Sequence, residues 1–211
     1  MGSLAVVGPV FLEVFVPDVR HSPGEERYVA RIPVALGGAL NPASVAAALG
    51  MDVRLLHPAG DGLLDAAIRA AVRRLGIVSA TWPSRDDPFV SLVFSDPSDR
   101  GFVSHGDMGC FGRCPPIPAA DWVYVGGISE AYALAERVAG ARAAGARVAT
   151  TGCWSPDDLA RLRFETAPRW DLLVLNRREA GIAMGDREAG IAMGDRVAGI
   201  AMGDRKAGIA M

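Results

Sequence analysis

The chain has 211 residues, half of them hydrophobic and 22% charged, which suits one globular α/β domain with a real core and excludes a disordered chain. Its 24 acidic and 22 basic residues nearly balance, leaving no basic footprint for nucleic acid and no polybasic membrane patch. Three cysteines, at 110, 114 and 153, make no disulfide framework, and Cys110 and Cys114 lack a second ligand pair at a metal spacing, so no metal site is expected.

The apolar start, Leu4 to Val16, is broken by Pro9 and Glu13, lacks a basic leader and is too short to cross a bilayer, so the chain reads as cytoplasmic. Leu4 to Val7 predicts a buried strand ending at Gly8. Glu13 is the only charge in the extended run Phe11 to Val16. A lone carboxylate there must be solvated, paired or functional. His21 to Gly24 predicts a turn, and the alternation from Glu26 to Ala35 predicts strands with one wet face.

The stretch Leu36-Gly37-Gly38-Ala39-Leu40-Asn41-Pro42 concentrates the site signals. Two glycines let backbone approach a ligand closely. Asn41 is expected to open a helix, with Pro42 in its first turn and Gly50 past its end. N–H groups at such a start suit an oxygen-rich or anionic ligand, although Asn41 as a cap and Gly37-Gly38 as a turn explain the same letters. A buried strand through Val53 to Leu56 then leads into Gly60-Asp61.

A helix over 63–75 should bury Leu64, Ile68, Ala71, Val72 and Leu75, with Asp65, Arg69, Arg73 and Arg74 largely on the wet side. Ile77 to Trp82 predicts another strand. Phe89 to Phe94 and Gly101 to Ser104 flank a turn at Asp96-Pro97-Ser98-Asp99, followed by a Gly- and Pro-rich loop over 106–118. Trp122 to Val125 enters Gly126-Gly127, and Ser129 can cap a helix running to about Ala144. After the strand Arg147 to Thr150, Ser155-Pro156-Asp157-Asp158 is a strong helix start. Asp171 to Leu175 is an apolar strand entering Asn176-Arg177-Arg178-Glu179, which has capping-box spacing. The alternation over 41–179 argues for a parallel, helix-covered sheet, whose ligands sit outside the strand carboxyl ends.

Taken in order, Gly37-Gly38, Asn41, Gly60-Asp61 and Asn176-x-x-Glu179 resemble the N-terminal portion of the ribokinase-like (PfkB) carbohydrate kinases. The resemblance covers about Leu4 to Glu179. It implies an α/β, ribokinase-like, helix-flanked and mainly parallel sheet over 1–178, truncated, with a small β lid at about 15–36 and 88–105. It also implies ATP-dependent transfer of the γ-phosphoryl group to a hydroxyl of a sugar or nucleoside, with Glu13, Gly37, Gly38 and Asn41 on the substrate side. Asn176 and Glu179 would lie on the nucleotide and magnesium side, ATP and Mg2+ being the implied cofactors. Glu13 stands where the family has an Asp, one methylene shorter. Thr151-Gly152-Cys153-Trp154 stands where an Asp-x-Asn-type turn is usual, which weakens support for phosphate. Self-association through the lid or an exposed sheet edge is the assembly this reading allows.

The family's Gly-Ala-Gly-Asp turn, which supplies the anion hole and the proton-accepting aspartate, is absent, so no catalytic residue is assigned. From Glu179 a nine-residue unit, Glu-Ala-Gly-Ile-Ala-Met-Gly-Asp-Arg, recurs through residue 211. Nine residues turn an α-helix by about half a turn beyond whole turns, so no single apolar stripe forms. A strand-turn meander is conceivable for 179–211. The chain is therefore expected to be inactive as a kinase, with a non-catalytic sugar- or nucleoside-binding protein, or a remnant, as the alternative.

Overall fold

A computed structural model describes residues 2–16, 23–85, 89–95, 100–164, 170–185, 197–201 and 208–210. The expected turn at 96–99, the first half of the 21–24 turn and the repeat copy at 188–196 lie outside these residues. The main sheet has eight strands. At its centre is β1 (Ser3–Val7), paired in parallel with β4 (Asp52–Ala59) on one side and β8 (Trp122–Val125) on the other. Beyond β4 lies β5 (Val78–Pro83), and beyond β8 lie β9 (Arg147–Thr151) and β10 (Leu172–Asn176), all parallel. The chain thus steps outward from β1 first one way and then the other, and its order reverses between β1 and β8.

Alternation explains why this sheet is covered on both faces. Ala5 and Val7 point into a large cluster with Leu56, Val123, Val125 and Leu175, closed by α3 (Ile128–Ala133), α4 (Ala135–Ala143) and α5 (Pro156–Arg161). Val6, Val53 and Leu55 point the other way, onto α1 (Leu40–Ala48) and α2 (Leu63–Arg74). The loop over 106–118 contributes to the larger cluster through a 3-10 turn, Met108–Arg113, which plugs Cys110 and Phe111 into the core beside Trp82.

A second sheet, β3-β2-β6-β7, stands beside the first. Its strands are β2 (Val10–Val16), β3 (Val34–Gly38), β6 (Val90–Ser95) and β7 (Arg100–His105). One face carries Phe11, Glu13, Ala35, Gly37, Ser91 and Ser104; the other carries Leu12, Val14, Val34, Leu92 and Val103.

Several local expectations are corrected. Residues 25–33 form no strand, because extended pairing begins only at Val34, where β2 offers an antiparallel edge. Asn41 does not cap α1: the N-cap is Ala39, without a side-chain bond, and Asn41 sits exposed in the first turn. The buried stripe of α2 is Asp65, Ile68 and Val72, while Leu64 and Leu75 are exposed. Ser129 caps nothing; Gly127 precedes α3, the Ser129 hydroxyl donates to Asp158, and the expected single helix breaks at buried Leu134.

The repeat is helical in its first copy and extended in a later one. Ala-Gly-Ile-Ala lies in α6 (Arg177–Met184) at 180–183 and in β11 (Val197–Ala201) at 198–201. A capping box at Asn176 and Glu179 nucleates α6. β11 instead pairs antiparallel with β10 and with β12 (Gly208–Ala210). Neighbouring context, not intrinsic preference, decides between the two forms.

Leu55 is fully buried between β1 and the α1/α2 layer. Leu55→Ala is expected to cost about 2–5 kcal/mol, read as a lower urea midpoint at unchanged slope.

Candidate functional site

The carboxyl ends of β1 and β8 meet at the point where strand order reverses, the usual place for a ligand crevice in such sheets. Backbone packs there without intervening side chains. Gly8 N–H donates to Leu56 O at 3.1 Å and Gly126 N–H to Val7 O at 2.8 Å. A Cβ on Gly8 would lie 3.3 Å from both Gly126 Cα and Ala39 Cβ. The end of β3 closes on the same place: Ala39 N–H donates to Pro9 O at 2.9 Å, and Gly38 has φ +65° with Pro9 O 2.5 Å from where its Cβ would be. Gly37-Gly38 is therefore the end of a strand held against Pro9, not a free turn.

Glu13 reaches over this floor from β2. Its carboxylate occupies the space that a Cβ on Gly37 would need. Burial pushes the Glu13 carboxyl above its ordinary value, and the positive charge of Arg100 partly opposes that rise. Directly across the sheet from Glu13 lies buried Ser91, whose hydroxyl is 2.6 Å from that of Ser104. Glu13, Ser91 and Ser104 form a polar row on one face of the small sheet, and the two serines carried no signal in sequence.

A second group of acids lines the ends of β8, β9 and β10. Asn176 Oδ1 accepts from Glu179 N–H at 2.9 Å, and Glu179 Oε2 accepts from Asn176 N–H at 2.9 Å. Glu179 is buried and stands where a Cβ on Gly152 would be. Glu130 repeats the arrangement beside Gly127. Its place, three residues after the glycine that precedes α3, matches that of Glu179 after Asn176, a spacing visible in the sequence but not singled out there. Burial, with Asp158 nearby, raises the Glu130 carboxyl. Between the two glutamates Cys153 holds a left-handed backbone, φ +47°, and its thiol donates to Gly126 O at 3.0 Å. Cys153 touches solvent from within a recess, where desolvation and the two carboxylates push its thiol up to about 12. It is therefore a hydrogen-bond donor and not a nucleophile at neutral pH.

The structure thus brings Glu13, Gly37 and Gly38 together with Gly8, and joins Asn176 and Glu179 to them only through Gly126 and Cys153. Asn41 starts α1 on the other face of the sheet from α6, at the same strand-end edge. Two cavities, of about 600 and 420 Å3, lie at the strands' amino ends near Ser3, Pro116 and Asp121 and against Arg54 and Val78.

No protein-family model matches this sequence, and no curated protein matches it. Solved structures do resemble it. A carbohydrate kinase from Agrobacterium tumefaciens superposes with TM-score 0.66 at 19% identity, covering 95% of this chain and 73% of that one. A nucleoside kinase from Methanocaldococcus jannaschii, described as an archaeal member of the ribokinase family, gives 0.67 at 16%, covering 89% and 64%. A 2-dehydro-3-deoxygluconokinase from Thermotoga maritima gives 0.62 at 15%, covering 88% and 63%. The fold is ribokinase-like. The chain spans 73%, 64% and 63% of those three proteins.

ATP and Mg2+ are the groups such a fold implies, and the described residues offer no preformed cage for the ion. Among the described residues no cluster of three or more His, Cys, Asp or Glu could hold a metal. Asn176 Oδ1 and Glu179 Oε2 each accept from the other residue's backbone N–H, and Glu130 and Glu179 are buried at the same strand ends.

Gly38→Ala forces a side chain into the left-handed region against Pro9 O, and should cost at least about 1–2 kcal/mol in thermal or urea unfolding. Glu130, with its folded value above the ordinary 4.5, contributes stability that is fully present below that value and lost as pH rises through the higher folded one. Glu130→Gln should remove that loss, so its stability relative to wild type should improve from acid toward neutral pH.

Proposed function

We propose that the Glu13, Gly37-Gly38 and Asn41 edge is the acceptor side of a ribokinase-like kinase site, and that the 211 residues alone bind a sugar or nucleoside without transferring phosphate. The observation that carries the reading is the Glu13 carboxylate seated against Gly37 at the strand-order reversal, in line with the Ser91 and Ser104 hydroxyls. Polyols are recognised by convergent donors and acceptors of this kind. A carboxylate accepts two hydroxyl protons, serine hydroxyls donate or accept, and the exposed Asn41 amide does both. The named neighbours act on sugars, a nucleoside and a sugar acid, all bearing hydroxyls.

Binding without transfer is the second half of the proposal. Phosphoryl transfer depends on positioned phosphates and neutralised charge. Here Glu130, Cys153 and Glu179 offer buried carboxylates and a protonated thiol instead. Glu13 would orient the hydroxyl compound; the Gly-Ala-Gly-Asp aspartate that takes the hydroxyl's proton in the resembled family has no counterpart among the described residues. An assembly of two copies through the small sheet, whose outer face exposes Val34, Phe94 and Val103, belongs to the same proposal.

Calorimetric titration with ribose, fructose and adenosine tests the first half. A detected affinity should fall about tenfold or more in Glu13→Gln and in Asn41→Ala. Unchanged affinity in both would place the ligand elsewhere. ATP turnover with magnesium across the same compounds tests the second half, with none expected; turnover by the chain would overturn it.

A further inference from the structure

A group of buried polar atoms on the far side of β1 takes no part in the edge described above. His57, the next residue after the Leu56 carbonyl that holds Gly8, is 1% exposed, and Asp65 in the first turn of α2 is 3% exposed. His57 Nε2, Asp65 Oδ2 and Ser84 Oγ are buried without hydrogen-bond partners. Their remaining polar atoms are accounted for where they can be followed. His57 Nδ1 lies 3.1 Å from Pro58 O, so it donates and leaves Nε2 as an acceptor. Asp65 Oδ1 accepts from Gly60 N–H at 2.9 Å. The missing side chain of Gly60 opens a cradle between two of these groups: a Cβ there would lie 3.0 Å from Asp65 Oδ2 and 3.7 Å from Ser84 Oγ.

We propose that the Gly60 cradle is a binding site for one buried water, held by Asp65 Oδ2, His57 Nε2 and the Ser84 hydroxyl. The proton count selects this guest. The three atoms offer three acceptors and a single proton, that of Ser84. One water adds two protons, donated to Asp65 and His57, and accepts the one from Ser84. Three bonds to otherwise unsatisfied groups is what buried waters typically make. Leaving such groups unpaired is costly. The donor set argues against the other small guest, a cation: the Arg69 guanidinium donates to Gly60 O beside the cradle, and among the described residues no group of three or more His, Cys, Asp or Glu could hold a metal. The water would tie the ends of β4 and β5 to the start of α2, which fixes the Gly60-Asp61 turn.

A high-resolution crystal structure of the chain, together with melting in sodium, potassium and magnesium chloride and in EDTA, tests the site. The expected result is one density peak within hydrogen-bond distance of all three atoms and a Tm indifferent to cation or chelator. Gly60→Ala should expel the guest and lower Tm by at least about 2–4 °C. Ser84→Ala should keep the peak with one contact fewer, and it reports on the site even if the glycine variant does not fold. Direct contact between His57 Nε2 and Asp65 Oδ2 with no peak would overturn the proposal. A cation-dependent Tm that Asp65→Asn abolishes would overturn it in favour of a metal.

Discussion

Carboxylates seated against glycines organise this molecule. Glu13 stands over Gly37, Asp65 over Gly60, Glu130 over Gly127 and Glu179 over Gly152. Glu13, Glu130 and Glu179 occupy the very space that a Cβ would claim, Asp65 Oδ2 lies 3.0 Å from it, and each of the four glycines lies at or beside a strand's carboxyl end. Asp65, Glu130 and Glu179 sit in the first turns of α2, α3 and α6, where helix N–H groups favour negative charge. Asp65 and Glu130 thereby fasten β4 to α2 and β8 to α3, the helices that follow those strands, while Glu179 ties the end of β9 to α6, the helix after the neighbouring β10.

This pairing of acid with glycine has opposite consequences on the two sides of the reversal point. Around Gly8, Gly37 and Gly38 it leaves a backbone floor with Glu13, Ser91 and Ser104 in a polar row, the acceptors and hydroxyls to which we assign the polyol in the proposed function. Around Gly127 and Gly152 it spends Glu130 and Glu179 on burial, with the Cys153 thiol between them. There Asn176 and Glu179 commit side-chain oxygens to each other's backbone N–H groups, which under the proposed function leaves poor ground for a triphosphate.

Much of this was legible in the residues. The alternation of apolar strands and helices gave the parallel sheet, Gly50 and Gly76 lie just past the helices as expected, and the capping box at Asn176 and Glu179 is formed as its spacing implied. The misses have physical causes. Asn41 looks like a cap, yet the strand runs to Gly38 and the helix begins at Leu40, two residues earlier than a cap at 41 allows. Asp65 looked like part of a wet face, because helical periodicity sorts residues by hydropathy and cannot see that Gly60 N–H needs an acceptor. Glu130 and Ser91 gave no signal of their own, since their roles come from glycines and strands distant in sequence. The repeat could not be assigned one conformation from its letters, because its first copy inherits a helix start from Asn176 while a later copy meets the edge of β10.

The central claim is that hydroxyl compounds meet this chain at the glycine floor where strand order reverses. Backbone amide shifts followed by NMR during titration with ribose or adenosine test it most directly. The account predicts shifts concentrated at Gly8, Gly37, Gly38 and Gly126 with saturable dependence on ligand. Shifts concentrated instead around Pro116 to Asp121, at the opposite end of the strands, would contradict it.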